Sequence, residues 1–267
     1  MSDADTYEVY AVKYGTMQNR YRRDNFIMAD RHDAPMPIDY YVWALVSPER
    51  TLVVDTGFNR AEGDKRGRNV LRLPREGLAL LGIDAAKVRD VIVTHMHYDH
   101  AGTLDDFPAA TFHIHPLEMG FVTGPLMCHA PFRHSMTAEH VCQMVRGLFE
   151  GRVAFHGGDE QVAPGVTVHH VGGHTPGMQS VRVKTRRGWV VLASDAAHFY
   201  EEFERGLPFP VVYNVGDMIQ GWDKLKRLAE SPRHLIPGHD PLVLKHYPAP
   251  KPALEGIVAR LDVDPRL

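Results

Sequence analysis

The stretch His95-Met96-His97-Tyr98-Asp99-His100 follows directly on Val91-Ile92-Val93-Thr94 and leads into Ala101-Gly102. The apolar run predicts a short buried strand, and loops at strand ends are where a rigid scaffold presents ligands. Three imidazoles and a carboxylate in so short a stretch cannot all point one way on a regular element. A tight turn must splay them into two ligand groups, which suits two metal ions better than one.

Working outward, three further sites each follow a predicted strand. Gly173-His174-Thr175-Pro176-Gly177 holds a histidine in a glycine-bounded turn, Ser194-Asp195 supplies a carboxylate, and Pro237-Gly238-His239-Asp240 supplies a last histidine. The set is His95, His97, Asp99, His100, His174, Asp195 and His239. Zinc takes imidazole nitrogen and carboxylate oxygen, and catalytic zinc sites keep a position open for water. Two ions bridged by one carboxylate and one hydroxide would use all seven side chains.

The rest of the chain supplies the scaffold. Strands are predicted over 6–14 and 40–55, the latter a hairpin turning at Pro48-Glu49-Arg50 and ending at Asp55-Thr56-Gly57. A helix over 75–89 feeds the strand before His95; a strand at 111–115 precedes a helix- and loop-rich stretch from Pro116 to Gly151. Strands return at 166–171, 179–184 and 188–194, followed by a helix over 216–230 and a strand at 234–236. Strands then helices, twice over, predict an α/β fold: a four-layered αββα sandwich of two mixed sheets with outer helices. The expected organisation is a single domain over 1–267 with two pseudo-repeated halves, about 1–150 and 151–267.

Composition narrows the function classes. Of 267 residues, 30 are Lys or Arg and 33 Asp or Glu, a net charge of −3 that gives no hint of nucleic acid as partner. With 44% apolar and 24% charged residues the chain is not intrinsically disordered. The acidic start and the lack of a long apolar run predict no secretory signal and no membrane, hence a cytoplasmic address. Cys128 and Cys142 read as buried thiols rather than a disulfide. Histidine is the outlier at 17 residues, which metal binding explains.

The combination His-x-His-x-Asp-His, His174, Asp195, His239 and the upstream Asp55-Thr56-Gly57 resembles the metallo-β-lactamase superfamily, from about residue 40 to 242. The resemblance implies that His95, His97 and His174 hold a first metal, that Asp99, His100 and His239 hold a second, and that Asp195 bridges them. It implies for Asp55 a supporting role behind the ligand loop. Within the superfamily, His174-Thr-Pro-Gly-Met-Gln-Ser180 and Asp195-Ala196 are most similar to the N-acyl homoserine lactonases. Those enzymes place a tyrosine three residues after the bridging aspartate; here that position is His198, and the nearest tyrosine is Tyr200.

The implied activity is hydrolysis of a lactone ester by a hydroxide bridging two divalent ions, zinc preferred over iron, cobalt or manganese. No Gly-x-Ser-x-Gly competes. Asp99 would move a proton and His198 would hold the oxyanion. The partner would be a small-molecule substrate, and the family suggests a homodimer. Alternatives on the same site are a thioester, an aryl ester, another cyclic ester or an amide; an iron-dependent oxidoreductase competes from another class. Met17, Phe58, Phe199 and Tyr200 are candidate walls for an acyl chain, with core packing the competing role. His113, His115, His169 and His170 read as packing or supporting residues, and His129, His134 and His140 as able to reach the mouth. Glu201, Glu202 and Glu204 read as a solvated face.

Overall fold

The computed structural model of the chain describes residues 5–28 and 33–266. Its strands are β1 (Glu8–Met17), β2 (Ile38–Val46), β3 (Thr51–Val54), β4 (Asn69–Val70), β5 (Asp90–Ile92), β6 (Thr111–Ile114), β7 (Val153–Phe155), β8 (Glu160–Ala163), β9 (Val166–His170), β10 (Gln179–Thr185), β11 (Gly188–Ser194), β12 (Leu235–Pro237) and β13 (Val258–Arg260). One sheet runs β13-β1-β2-β3-β5-β6-β7, with β4 also on β1; the other runs β12-β11-β10-β9-β8. Both are mixed: β3, β5, β6 and β7 are mutually parallel, and β12 is parallel to β11 while β8 to β11 alternate.

Period-two alternation in the strands makes the layers. On β2, Tyr41, Trp43 and Leu45 meet Val168, Val181, Val183, Val190 and Leu192 of the second sheet in one buried cluster. The intervening Tyr40, Val42 and Ala44 face the other way, into a core shared with Leu78, Met119 and Met144. Val191 and Ala193 of β11 pack outward on Met218, Trp222 and Leu225. The result is helix, sheet, sheet, helix, the expected sandwich.

The helices are α1 (Arg60–Arg66), α2 (Pro74–Ala79), α3 (Pro116–Val122), α4 (Ala130–Arg133), α5 (Ala138–Phe149), α6 (Tyr200–Arg205), α7 (Val215–Leu228) and α8 (Leu242–His246). The helix α7 starts where the Asn214 side chain accepts from the Gly216 and Asp217 N–H groups, and buries Met218, Gly221, Trp222 and Leu225 on one face. The helix expected over 75–89 ends early: Gly82 has φ 78°, and only a short 3-10 turn at Ala85–Lys87 follows. The stretch from Pro116 to Gly151 is broken by Pro125 and Pro131 into α3, a 3-10 turn, α4 and α5. Strands β7, β8 and β13 were not foreseen, since β7 and β8 lack a buried alternating face. Cys128 and Cys142 are exposed, not buried, because one sits on the 3-10 turn and the other on the outer face of α5. No described helix is long and apolar enough to cross a membrane.

Candidate metal centre

Strands β3, β5, β9, β11 and β12 are each followed by a residue of the centre. Asp55 follows β3, the 95–100 loop follows β5, His174 follows β9, Asp195 follows β11 and His239 follows β12. Two non-glycine residues in this ring sit in the left-handed region, Asp55 at φ 61° and Ser194 at φ 47°. Both turn the chain sharply at a strand end, where such strain persists only if the surroundings over-determine it.

The turn splays its residues as the sequence requires. Donor atoms of His95, His97 and His174 form one group, those of Asp99, His100 and His239 a second, and Asp195 groups with His95 and His100. The atoms within each group lie within 4.8 Å of one another. All seven side chains are buried, at 0–8% exposure. Asp195 divides its oxygens between the groups: Oδ1 lies 3.2 Å from His100 Nε2 and 3.0 Å from His239 Nε2, while Oδ2 lies 3.4 Å from His174 Nε2.

Hydrogen bonds on the far side of each ring fix what the near side offers. His174 Nδ1 donates to the Val211 carbonyl (2.7 Å), His239 Nδ1 to the Asp39 carbonyl (2.8 Å) and His100 Nδ1 to Asp55 Oδ2 (2.7 Å). Thr94 Oγ1 gives its proton to Asp55 Oδ2 (2.8 Å), so it accepts from His95 Nδ1 (3.1 Å). In their neutral forms these four rings turn Nε2 lone pairs inward, where they face one another or a carboxylate oxygen. His174 Nε2 lies 3.1 Å from His95 Nε2 and 2.9 Å from His97 Nδ1. Lone pair against lone pair is repulsive, and His100 Nε2 and Asp195 Oδ1 are buried with no hydrogen-bond partner.

The electrostatics divide the rings into two kinds. Burial, helped by the neighbouring imidazoles, holds His95 and His97 well below the ordinary histidine range, and burial lowers His174. Burial opposes charge on His100 as well, yet the carboxylates of Asp195, Asp55 and Asp99 outweigh it and push its pKa well above the usual value. His239 is raised by Asp195 and Asp99 against the same desolvation. Burial works to raise Asp195, but His239, His100 and His198 hold it well below the carboxylate range. Positive charge is favoured between these carboxylates.

His198 also lies at the centre. Its Nε2 is 3.1 Å from Asp195 Oδ2, its ring stacks on Phe209 at 3.6 Å, and its donor atom groups with those of His174 and Asp195. Burial depresses its pKa to about 3. Glu202, expected on a solvated face, is instead fully buried: its Oε2 accepts from His198 N (2.6 Å), and burial pushes its pKa well up. The six-residue helix α6 turns Glu202 inward while Glu201 pairs with Arg22 and Arg205 outside.

Phe58 and Phe199 are core residues at 0% and 1% exposure, whereas Met17 and Tyr200 are half-buried. His113 bonds Asp90 and His156; His115 accepts from Leu117 N and stacks on His170, and His169 bonds Thr167. His129 and His134 are exposed, and His140 is buried against Gly102. Sequence reasoning missed Glu118. Its fully buried carboxylate accepts from Met96 N (2.9 Å), Thr175 Oγ1 (2.6 Å) and Gly177 N (3.2 Å), tying the 95–100 loop to the His174 turn. A glutamate in a helix's first turn reads as a dipole partner, and that signal hid the clamp.

Comparison with known proteins places this arrangement. An N-acyl homoserine lactonase of a Bacillus species is 26% identical over 191 residues, 64% of this chain and 70% of that protein. The N-acyl homoserine lactonase AttM of Azorhizobium caulinodans is 25% identical over 253 residues, 87% and 93% of the two chains. A crystal structure of an N-acyl homoserine lactone hydrolase, with the product N-hexanoyl-L-homoserine at its catalytic metal center, superposes with TM-score 0.71 at 20% identity, over 89% of this chain and 94% of that one. The metallo-beta-lactamase superfamily profile matches residues 37–249, a span containing every residue of the centre, and on fold, side-chain geometry and profile together this chain belongs to the metallo-β-lactamase superfamily.

Proposed function

We propose that this metal-dependent hydrolase opens the ester bond of a lactone at a pair of divalent ions, with N-acyl homoserine lactones as the substrate class. The observation that carries the proposal is Asp195, whose two buried oxygens face two separate sets of imidazole lone pairs. Cations between them would turn those repulsions into ligand bonds, so the residues present fit the group. His95, His97 and His174 would hold one ion, Asp99, His100 and His239 the other, and Asp195 would bridge. When bound, such a pair supplies a hydroxide nucleophile near neutral pH and polarises the ester carbonyl. Imidazole mixed with carboxylate suits zinc, with iron, cobalt and manganese next.

The chain's own residues divide the remaining work. Asp99 is the least buried of the ligand carboxylates, at 8%, with Oδ2 3.8 Å from His100 Nε2 and 3.9 Å from His239 Nε2. It is placed to carry a proton toward the leaving alkoxide. His198 holds Asp195 in orientation through Nε2, and as a hydrogen-bond donor at the centre it would be available to a substrate oxyanion. Phe121, Phe132 and Tyr213 form an aromatic triangle beside the His174 turn, held there by Tyr213 N donating to Gly173 O (2.9 Å). That wall suits an acyl chain.

The test is proton release on adding short- and long-chain N-acyl homoserine lactones, with metal content measured on the same sample. Rapid opening with two metals per chain supports the proposal. Two metals without opening redirects it to thioesters, aryl esters or amides, and one iron per chain replaces hydrolysis with oxidoreduction.

A further inference from the structure

The end of β1 and the segment before β4 lie side by side, since Gly15 pairs with Val70 and with Tyr40, and Thr16 pairs with Asn69. This register brings Arg68, just before β4, and Arg20, just beyond β1, to one sheet end over Tyr40. Tyr40 and Tyr98 join hydroxyl to hydroxyl at 3.3 Å, and Arg68 Nε donates to the Tyr98 hydroxyl at 3.0 Å. The phenols border the metal centre: the Tyr40 ring meets the His239 ring edge-on at 5.3 Å, and Tyr98 directly precedes Asp99.

Both guanidinium groups are half-buried, and among the described residues neither makes an ion pair with a carboxylate. Arg68 uses its second nitrogen on the Arg66 carbonyl (2.8 Å); Arg20 bonds Asn25 Oδ1 and the Asp24 carbonyl (2.8 Å). One terminal nitrogen of each has no partner among the described residues. Neighbouring arginines are treated differently: Arg66, over the Tyr98 ring, pairs with Glu62, and Arg22 pairs with Glu201. Burial lowers the Arg20 pKa against the pull of Tyr40 and Asp24, with a smaller contribution from the Arg68 charge, while Tyr40, Tyr98 and Asp99 outweigh burial and raise Arg68. Half-buried guanidinium groups that make no direct ion pair keep donors free for a charge-assisted bond when an anion arrives.

We propose that Arg20 and Arg68, with the Tyr40–Tyr98 hydroxyl pair, form a subsite for a carboxylate carried by the substrate at the end of its acyl chain. The preferred lactone is therefore a carboxylate-bearing member of the proposed substrate class. The chemistry rests on the lactonase reading, whereas the binding does not.

The experiment compares metal-loaded protein on two homoserine lactones of equal acyl length, one chain ending in a methyl and the other in a carboxylate, over a series of lengths. Wild type is expected to favour the carboxylate by about 10- to 100-fold in kcat/KM at its best length, chiefly through KM. That ratio falls toward one in Arg68→Gln and in Arg20→Gln/Arg68→Gln, and Arg68→Lys retains part of it. A wild-type ratio near one, or a ratio that survives both substitutions, overturns the subsite while leaving lactone hydrolysis intact. A second arm titrates glutarate into the zinc-loaded protein by calorimetry, with no turnover involved. Binding weakened about tenfold or more by Arg68→Gln, in protein whose melting temperature is unchanged, supports the subsite even if no lactone is opened. Equal glutarate binding by wild type and Arg68→Gln overturns it.

Discussion

Replacing Glu118 should loosen both ligand loops at once. Its carboxylate is fully buried and accepts three hydrogen bonds, two of them from backbone N–H groups that lie on different loops. Glu118→Ala strands the Met96 and Gly177 N–H groups at about 1–3 kcal/mol each, so a loss of about 3–5 kcal/mol is expected. Glu118→Gln is milder. With its amide nitrogen toward Thr175, whose hydroxyl can turn to accept, it keeps the Met96 bond and forfeits only Gly177, about 1–2 kcal/mol. Affinity for metal should fall about 10- to 100-fold, as for other residues that orient ligands from behind. Burial pushes the Glu118 pKa up to about 7 from an ordinary 4.5. The folded state therefore binds more protons than the unfolded one between those values, and this group's contribution to stability declines as pH rises from about 4.5 through 7. The full span is about 3 kcal/mol, at 1.36 kcal/mol per unit. Denaturant unfolding of the metal-free protein across pH 5–8 measures it. The wild-type curve should fall relative to Glu118→Gln as pH rises; parallel curves together with unchanged metal affinity would refute the clamp.

Three further outcomes follow from the same geometry. Asp195→Ala removes the carboxylate shared by both imidazole sets, and elemental analysis should find at most one metal per chain with turnover nearly abolished. Asp55→Asn keeps a residue that tolerates φ 61° but weakens the acceptor for His100 Nδ1, so the second metal should be lost first, its affinity down about 10- to 100-fold by competition titration. Trp222, at 2% exposure, donates Nε1 to the Ala196 carbonyl (2.5 Å) just after Asp195; Trp222→Phe should lower stability by about 1–2 kcal/mol and Trp222→Ala by about 3–5 kcal/mol in urea unfolding.

The sandwich and the seven inward-facing residues were legible because both are written locally. Alternating or continuous apolar runs mark β2, β5, β9, β10 and β11, and each proposed ligand stands a short way past a strand's end. What escaped was set by contacts distant in sequence. Glu118 reaches across to Met96 and Gly177, and no local pattern separates it from an exposed helix-start glutamate. Glu202 belongs to a run of acids that alone reads as solvated, yet one turn of α6 points it at the backbone of His198. Strand β13 pairs with β1 across the whole chain, a partnership that three residues of sequence cannot announce.

The same division explains why chemistry is easier to read than specificity. Metal ligands must be His or Asp whatever else the loops do, so composition betrays them. Substrate selection, on the proposals above, falls to side chains such as Arg20, Arg68, Phe132 and Tyr213, which read as ordinary residues in the sequence. The substitution of His198 where the lactonases carry tyrosine belongs to neither group. Its Nε2 contacts the shared carboxylate rather than open space, so its chief effect should fall on Asp195 and hence on both metals. His198→Gln, which can still donate to Asp195 Oδ2, should keep two metals per chain, whereas His198→Phe should weaken metal binding as well as turnover. Equal metal content in both variants, with turnover lost equally, would return His198 to the substrate side of the centre.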